Sequence, residues 1–157
     1  MRTTAVMTTT AIRAATEADI ATMVAMGQRF RNESVYAARL AENPDQMAAH
    51  GRMLLASDDG LLLVAARDGE VVGMIGALIF VHHLSGALTA AESFFWVNPD
   101  ARGCGVRLLR AFERWARTRG ATTVQMIAPT PEVEQLYARL GYAPLEVAYT
   151  KELTSCP

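Results

Sequence analysis

Residues 96–115 read WVNPDARGCGVRLLRAFERW. The run Phe94-Phe95-Trp96-Val97 that leads into them has the aromatic, apolar character of a strand. Asn98-Pro99 marks a turn. Arg102-Gly103-Cys104-Gly105 forms a glycine-bearing loop, and Val106, Leu109, Phe112 and Ala116 then recur at helical spacing, with Leu108 and Trp115 beside them. A strand, a glycine loop and a helix in that order aim several free backbone N–H groups at one spot, at the positive end of the helix dipole. Phosphate or pyrophosphate suits such a spot. Glycine at 103 and 105 predicts close approach of the backbone to the anion. The loop lacks the length and Lys-Ser/Thr ending of a nucleotide-triphosphate loop, and it lacks the third glycine of a dinucleotide fingerprint.

The flanking sequence supplies the rest of the elements. Ala11-Ile12-Arg13 reads as a short strand. Thr16 with Asp19 starts a helix carrying Ile20, Met23, Val24, Gly27 and Phe30 on one face. Asn43-Pro44 starts a second helix, with Asn as cap and Pro in the first turn. Leu61–Ala66 and Val71–Val81 are strands joined through Asp68-Gly69, a hairpin signal. Leu88–Val97 is a fourth strand. Gly120 ends the third helix, Thr123–Ala128 is a fifth strand, and Thr130-Pro131 opens a helix that buries Val133, Leu136, Tyr137 and Leu140. Leu145–Tyr149 alternates as a last strand. The predicted order is β-α-α-β-β-β-α-β-α-β, an α/β fold with a mixed central sheet flanked by about four helices.

At 157 residues the chain is long enough for one sizeable core, taken as residues 11–157 behind a disordered tail, 1–10. The apolar fraction of 51% and charged fraction of 20% are those of a globular protein. A net charge of −1 gives no electrostatic basis for nucleic acid or an anionic membrane as partner. The apolar run Val71–Val81 is too short to span a bilayer, and the Thr-rich start does not read as a signal peptide. Cys104 and Cys156 read as free thiols in a reducing cytoplasm. His82 and His83, adjacent on a strand, would point to opposite faces and so could not share a metal.

Two motifs carry a family resemblance. Arg102, Gly105 and the preceding Val97-x-Pro99 resemble the acyl-CoA loop of the GNAT N-acetyltransferase superfamily, with Arg107 where a small residue is usual. Leu136-Tyr137-Ala138-Arg139-Leu140-Gly141-Tyr142 resembles the GNAT segment with a Tyr four residues before a Gly-aromatic pair. Glu33-Ser34, the Phe-Trp-Val strand end and Glu-Arg-Trp-Ala in the third helix are similar to GNAT proteins of phages and prophages.

The resemblance implies acetyl-CoA as cosubstrate, no metal, and transfer to a primary amine of a small molecule or peptide in a ternary complex. It implies cofactor contacts at Trp96, Val97, Arg102, Gly103, Cys104, Gly105, Val106, Arg107, Leu108, Thr130 and Tyr137. Backbone N–H groups of the fourth strand, at Trp96 and Val97, would hold the pantetheine, and a bulge there would splay the strands. Tyr137 would protonate the departing thiolate; as a plain core residue it would instead find a backbone partner. Glu92 would take the amine proton through water, or would sit in a salt bridge. Arg107 reads equally as a phosphate ligand or a solvated residue, and Thr130 as a CoA contact or a helix cap. The acceptor would lie against residues 29–44, including Arg31, Glu33, Tyr36 and Arg39. A homodimer is compatible with all of this. A CoA-binding module without turnover and a tRNA-modifying toxin are the competing classes.

Overall fold

The computed structural model describes residues 9–101 and 103–153. The chain resolves into two compact units, Met1–Ile127 and Ala128–Pro157.

The first unit holds one five-stranded sheet in the order β1-β2-β3-β4-β5. Its strands are β1 (Thr10–Ala14), β2 (Gly60–Arg67), β3 (Glu70–Val81), β4 (Leu88–Val97) and β5 (Thr123–Gln125). The first four pair antiparallel, and β5 joins β4 in parallel. Mixed pairing follows from the connections: a two-residue hairpin can only reverse the chain, whereas a helical crossover returns it in the same direction. Asp68 and Gly69 both take positive φ, at 51° and 88°, as the predicted β2–β3 hairpin turn requires.

Helices α1 (Ile20–Asn32) and α2 (Pro44–Ala56) cover one face of the sheet, and α3 (Cys104–Thr118) covers the other. On the α1/α2 face Ile20, Met23, Met26 and Leu54 pack with Leu62, Val64 and Met74, with Phe94 and Trp96 against them. On the opposite face Leu108, Leu109, Phe112 and Ala116 are fully buried, so the stripe read from the sequence is the packed one. At Gly73 a Cβ would lie 3.1 Å from Leu108 and 3.2 Å from Val97, which shows how closely α3 approaches β3.

In the second unit Thr130 caps α4 (Pro131–Arg139), its hydroxyl accepting from the Val133 N–H at 3.4 Å. Gly141, at φ 91°, follows the helix. The expected strand at 145–149 is not formed. Its alternation is a strand pattern, yet a strand exists only through a partner's ladder, and none of these residues enters one. Leu145, Val147 and Tyr149 stand 76%, 77% and 94% exposed.

Three smaller expectations also change. The first strand starts at Thr10, inside the segment read as tail, because Thr10 pairs with Arg67. Strand β5 stops at Gln125 rather than Ala128. His82 and His83 follow the end of β3 in a turn, where their rings stack on each other at 5.0 Å instead of pointing apart.

The start of α1 is anchored by a buried charge. Asp19 accepts from Arg13 at 2.8 and 2.9 Å and from the Thr16 N–H at 2.8 Å. The Arg13 guanidinium, aided by that N–H, holds the Asp19 carboxyl down at about 2. A carboxyl depressed in the folded state stabilises above its unfolded value near 4 and loses that contribution as pH falls toward 2. Asp19→Asn should therefore cost about 2 kcal/mol at neutral pH, and melting curves of parent and variant should converge between roughly pH 4 and pH 2. A constant gap across that range would show that the pair is not what stabilises this end of α1.

Candidate active site

Strand β4 reaches Val97, a 3-10 turn spans Pro99–Ala101, and α3 begins at Cys104. Gly103 occupies the capping position at φ 99°, which only glycine adopts without strain. Helices α2 and α4 show what this position lacks. Asn43 caps α2 by accepting from the Gln46 N–H at 3.0 Å, and Thr130 caps α4. Glycine brings no side-chain oxygen, so the N–H groups of residues 103–106 get no cap from their own helix end. An outside anion can satisfy them, and the helix dipole favours it.

The expected loop contacts divide accordingly. Gly103, Cys104, Gly105 and Val106 carry the free amides. Arg107 and Leu108 are past the first turn, so their N–H groups belong to the helix ladder. Leu108 is fully buried under the sheet. The Arg107 side chain is exposed, and its guanidinium donates to the Thr10 carbonyl at 2.7 Å. Arg102 lies outside the described residues. At Gly105 a Cβ would meet Phe95 at 3.4 Å and Val97 at 3.5 Å, ordinary packing distances, so helix–sheet packing does not itself require glycine there.

Beside the loop lies an open strand edge. Strand β5 pairs only Thr89, Ala90 and Ala91 of β4. From Glu92 to Val97, β4 has β3 on one side and no ladder on the other. The Asn98 N–H donates to the Val72 carbonyl at 2.8 Å. Alternation along the strand then turns the N–H groups of Phe95 and Val97 to the open edge and that of Trp96 toward β3. Of the two amides expected to hold a ligand, that of Val97 faces the open edge and that of Trp96 does not; the Phe95 N–H faces it instead. The Trp96 indole packs on Phe30 at 5.7 Å and donates to Asn98 Oδ1 at 3.1 Å.

The ladder between β3 and β4 slips at Gly76/Ala77, where Phe94 pairs with Gly76 and Glu92 with Ala77. Ser93 is the extra residue of a bulge. Paired residues share a face, so Phe94 lies on the α1/α2 face with His50 6.0 Å away, and Glu92 lies on the α3 face. Burial drives the Glu92 carboxyl up to about 8, against a smaller opposing effect of the Ile127 N–H. Its Oε2 is buried without a partner, and no salt bridge among the described residues includes it. The ion-pair reading of Glu92 therefore falls away. Its position at the fork, with Ile127 just beyond the end of β5, was not readable from the sequence, because the bulge that sets it is a property of pairing.

Tyr137 and Thr130 belong to the second unit. Tyr137 is buried, with its ring 5.5 Å from that of Tyr142. Thr130 acts as the helix cap.

Of the residues expected to face an acceptor, Arg31 is engaged with main chain, donating to the carbonyls of Ala37 and Leu40. Glu33 pairs with Arg29 at 3.7 Å. Tyr36 packs edge-on against Phe30 at 5.7 Å, while Val35 and Leu40 beside it are 65% and 51% exposed. No group of His, Cys, Asp and Glu among the described residues could hold a metal ion. No described helix is long and apolar enough to cross a membrane.

Comparison with curated protein sequences gives no match. Among solved structures, a transcriptional regulator from Bacillus halodurans C-125 superimposes with a TM-score of 0.78 at 22% identity, covering 92% of this chain and 100% of that one. The aminoglycoside N-acetyltransferase AAC(6')-Iy in complex with CoA gives 0.74 at 18% identity, covering 98% and 100%. Glucosamine-6-phosphate N-acetyltransferase from Arabidopsis thaliana gives 0.73 at 16% identity, covering 93% and 99%. At these identities the likeness speaks for the fold. A family profile matches residues 27–142, a span that includes the uncapped start of α3, the open edge of β4 and α4; the chain belongs to the Acetyltransferase (GNAT) family.

Proposed function

We propose that the protein transfers an acetyl group from acetyl-CoA to a primary amine, by direct attack in a ternary complex. One observation carries this reading: the uncapped N-terminus of α3 and the unpaired edge of β4 adjoin in one unit. Together they fit a ligand with an anionic end and an amide-bearing arm. Bound acetyl-CoA would supply the activated acetyl thioester.

The chain's residues take the following parts. The amides of Gly103, Cys104, Gly105 and Val106 hold the pyrophosphate. The N–H groups of Phe95 and Val97 bind the pantetheine arm as a neighbouring strand would, and the same edge stabilises an oxyanion. Glu92 receives the amine proton through water: its buried carboxyl holds a proton more tightly than a solvated one does, and its unpartnered Oε2 can accept one. Tyr137 donates its phenolic proton to the departing thiolate. The amine class is supported by the family and by the N-acetyltransferases that share its fold.

Three measurements test these parts. Calorimetry with CoA should show Gly103→Val losing about tenfold or more in affinity, since a β-branched residue resists φ 99°. Gly105→Ala should bind almost as the parent does, because its Cβ makes only ordinary contacts. Equal affinity in the Gly103 variant would remove the loop from the binding site.

Tyr137→Phe should lower turnover roughly ten- to a thousandfold with CoA affinity nearly unchanged, as expected of a group that acts once thiolate charge develops. Unchanged turnover would return Tyr137 to a purely structural role.

Glu92 gives a pH signature in two readouts. As base it must be ionised, so the parent's rate should rise with pH and level off above about 8. Glu92→Gln should be slower at pH 8 and keep rising as free amine accumulates. Stability has the opposite sign. A carboxyl raised in the folded state binds more protons folded than unfolded, so the parent loses stability as pH climbs from near 4 through 8. Glu92→Gln lacks that loss, and its melting temperature should gain on the parent's from pH 5 to pH 8. A gain in stability with an unchanged rate profile would leave Glu92 buried but uninvolved in proton transfer.

A further inference from the structure

The loop that presents the free amides of 103–106 is held at both ends by one side chain that no sequence motif points to. Arg67 is the last residue of β2. Its Nη1 donates to the Asp100 carbonyl at 3.1 Å, and its Nη2 lies 3.9 Å from Cys104 Sγ. Asp100 belongs to the 3-10 turn before the loop, and Cys104 is the first residue of α3. Cys104 is itself only 4% exposed and sits 3.8 Å from Thr10 Oγ1. Thr10 is the cross-strand partner of Arg67, and its carbonyl takes the bond from Arg107. The β1/β2 edge therefore grips the entry to the loop, the helix start and the next residues of the helix.

We propose that Arg67 is a positioning residue for the phosphate-bearing cosubstrate. Its guanidinium ties Asp100 to Cys104 and so holds the amides of 103–106 in a receiving geometry before any ligand arrives. The assignment rests on the reading that CoA binds at this helix start. The loop needs such an external brace. Gly103 sits in open space, with nothing within 4 Å of where its Cβ would be, and glycine restrains its own backbone least of all residues. Preorganised donors bind better because their ordering cost is met in the free protein. The rigid planar fork of Arg presents Nη1 and Nη2 to the carbonyl and the thiol in fixed geometry, whereas a lysine offers a single nitrogen on a flexible stem. Glu70 pairs with Arg67 in register, yet the guanidinium turns to the loop.

The experiment combines CoA titration by calorimetry, amide hydrogen exchange over residues 99–106 in the ligand-free proteins, and melting temperature, for the parent, Arg67→Ala and Arg67→Lys. Arg67→Ala should weaken CoA binding about tenfold and speed exchange over 99–106 by a similar factor, while exchange in α2 and β3 stays at the parent's rate. Arg67→Lys should fall between the two. Turnover at saturating acetyl-CoA should stay within about twofold of the parent's, so the loss appears in KM. Weaker binding with unchanged exchange would make Arg67 a direct phosphate ligand and overturn the positioning role. Parent-like affinity in Arg67→Ala would overturn the assignment while leaving the CoA site intact. A parent that fails to bind CoA would overturn the functional reading and this assignment with it.

Discussion

The arrangement of this site depends on where β4 is left without a partner. Strand β5 contributes three ladder positions and ends at Gln125, so that edge of β4 runs on from Glu92 to Val97 with no ladder partner among the described residues. An unpaired strand edge inside a fold is a cost, since each N–H and C=O there has given up water or must find another partner. Here the edge ends beside a helix start that is short of acceptors in the same way. Two sets of backbone groups, at the end of β4 and at the start of α3, make a surface that would suit an extended ligand with an anionic end. Neither set needs a particular side chain, which explains why so little of the site is visible as a residue pattern.

The bulge at Ser93 works with that edge. In a regular strand Glu92, Phe94 and Trp96 would share a face. The extra residue breaks this, sending Phe94 and Trp96 to the α1/α2 core and Glu92 to the other side of the sheet. The core side of the switch requires Gly76, where a Cβ would come within 2.6 Å of the Phe94 ring and 2.7 Å of Leu54. Glycine leaves the room that the Phe94 ring and Leu54 occupy against β3. The acid side requires that nothing neutralise Glu92. A basic partner would pull its proton affinity down; desolvation with one N–H donor leaves it up, at about 8. The fold thus keeps a buried acid that weakens stability as pH rises, a pattern more at home in a site of proton transfer than in a core.

Much of the fold was legible in the sequence, and the parts that were not share a cause. Local chemistry was readable: Asn43-Pro44 and Thr130-Pro131 as helix starts, Asp68-Gly69 as the hairpin, the α3 stripe on Leu109, Phe112 and Ala116. What depended on pairing was not. Leu145, Val147 and Tyr149 alternate as well as any strand in the chain, but alternation describes one edge of a ladder and is silent about the other. The orientation of Trp96 failed the same way, because which N–H points outward is set by register against β3. Glu92 was picked out correctly as a carboxylate in an apolar run, while its face was decided by a bulge that leaves no mark in composition.

Glycine and arginine in the α3 loop show how residue type can be read correctly and its reason missed. Gly105 was expected to admit an anion, and the space around it would also take a Cβ at ordinary contact distances from Phe95 and Val97. The position that frees the helix end is Gly103, through its backbone angle and its lack of a capping oxygen. Arg107 was expected either to meet a phosphate or to face water, and it ties α3 to the Thr10 carbonyl. The amides at the start of α3 thus owe their freedom to the backbone angle and missing side chain of Gly103, and not to any polar side chain of the loop.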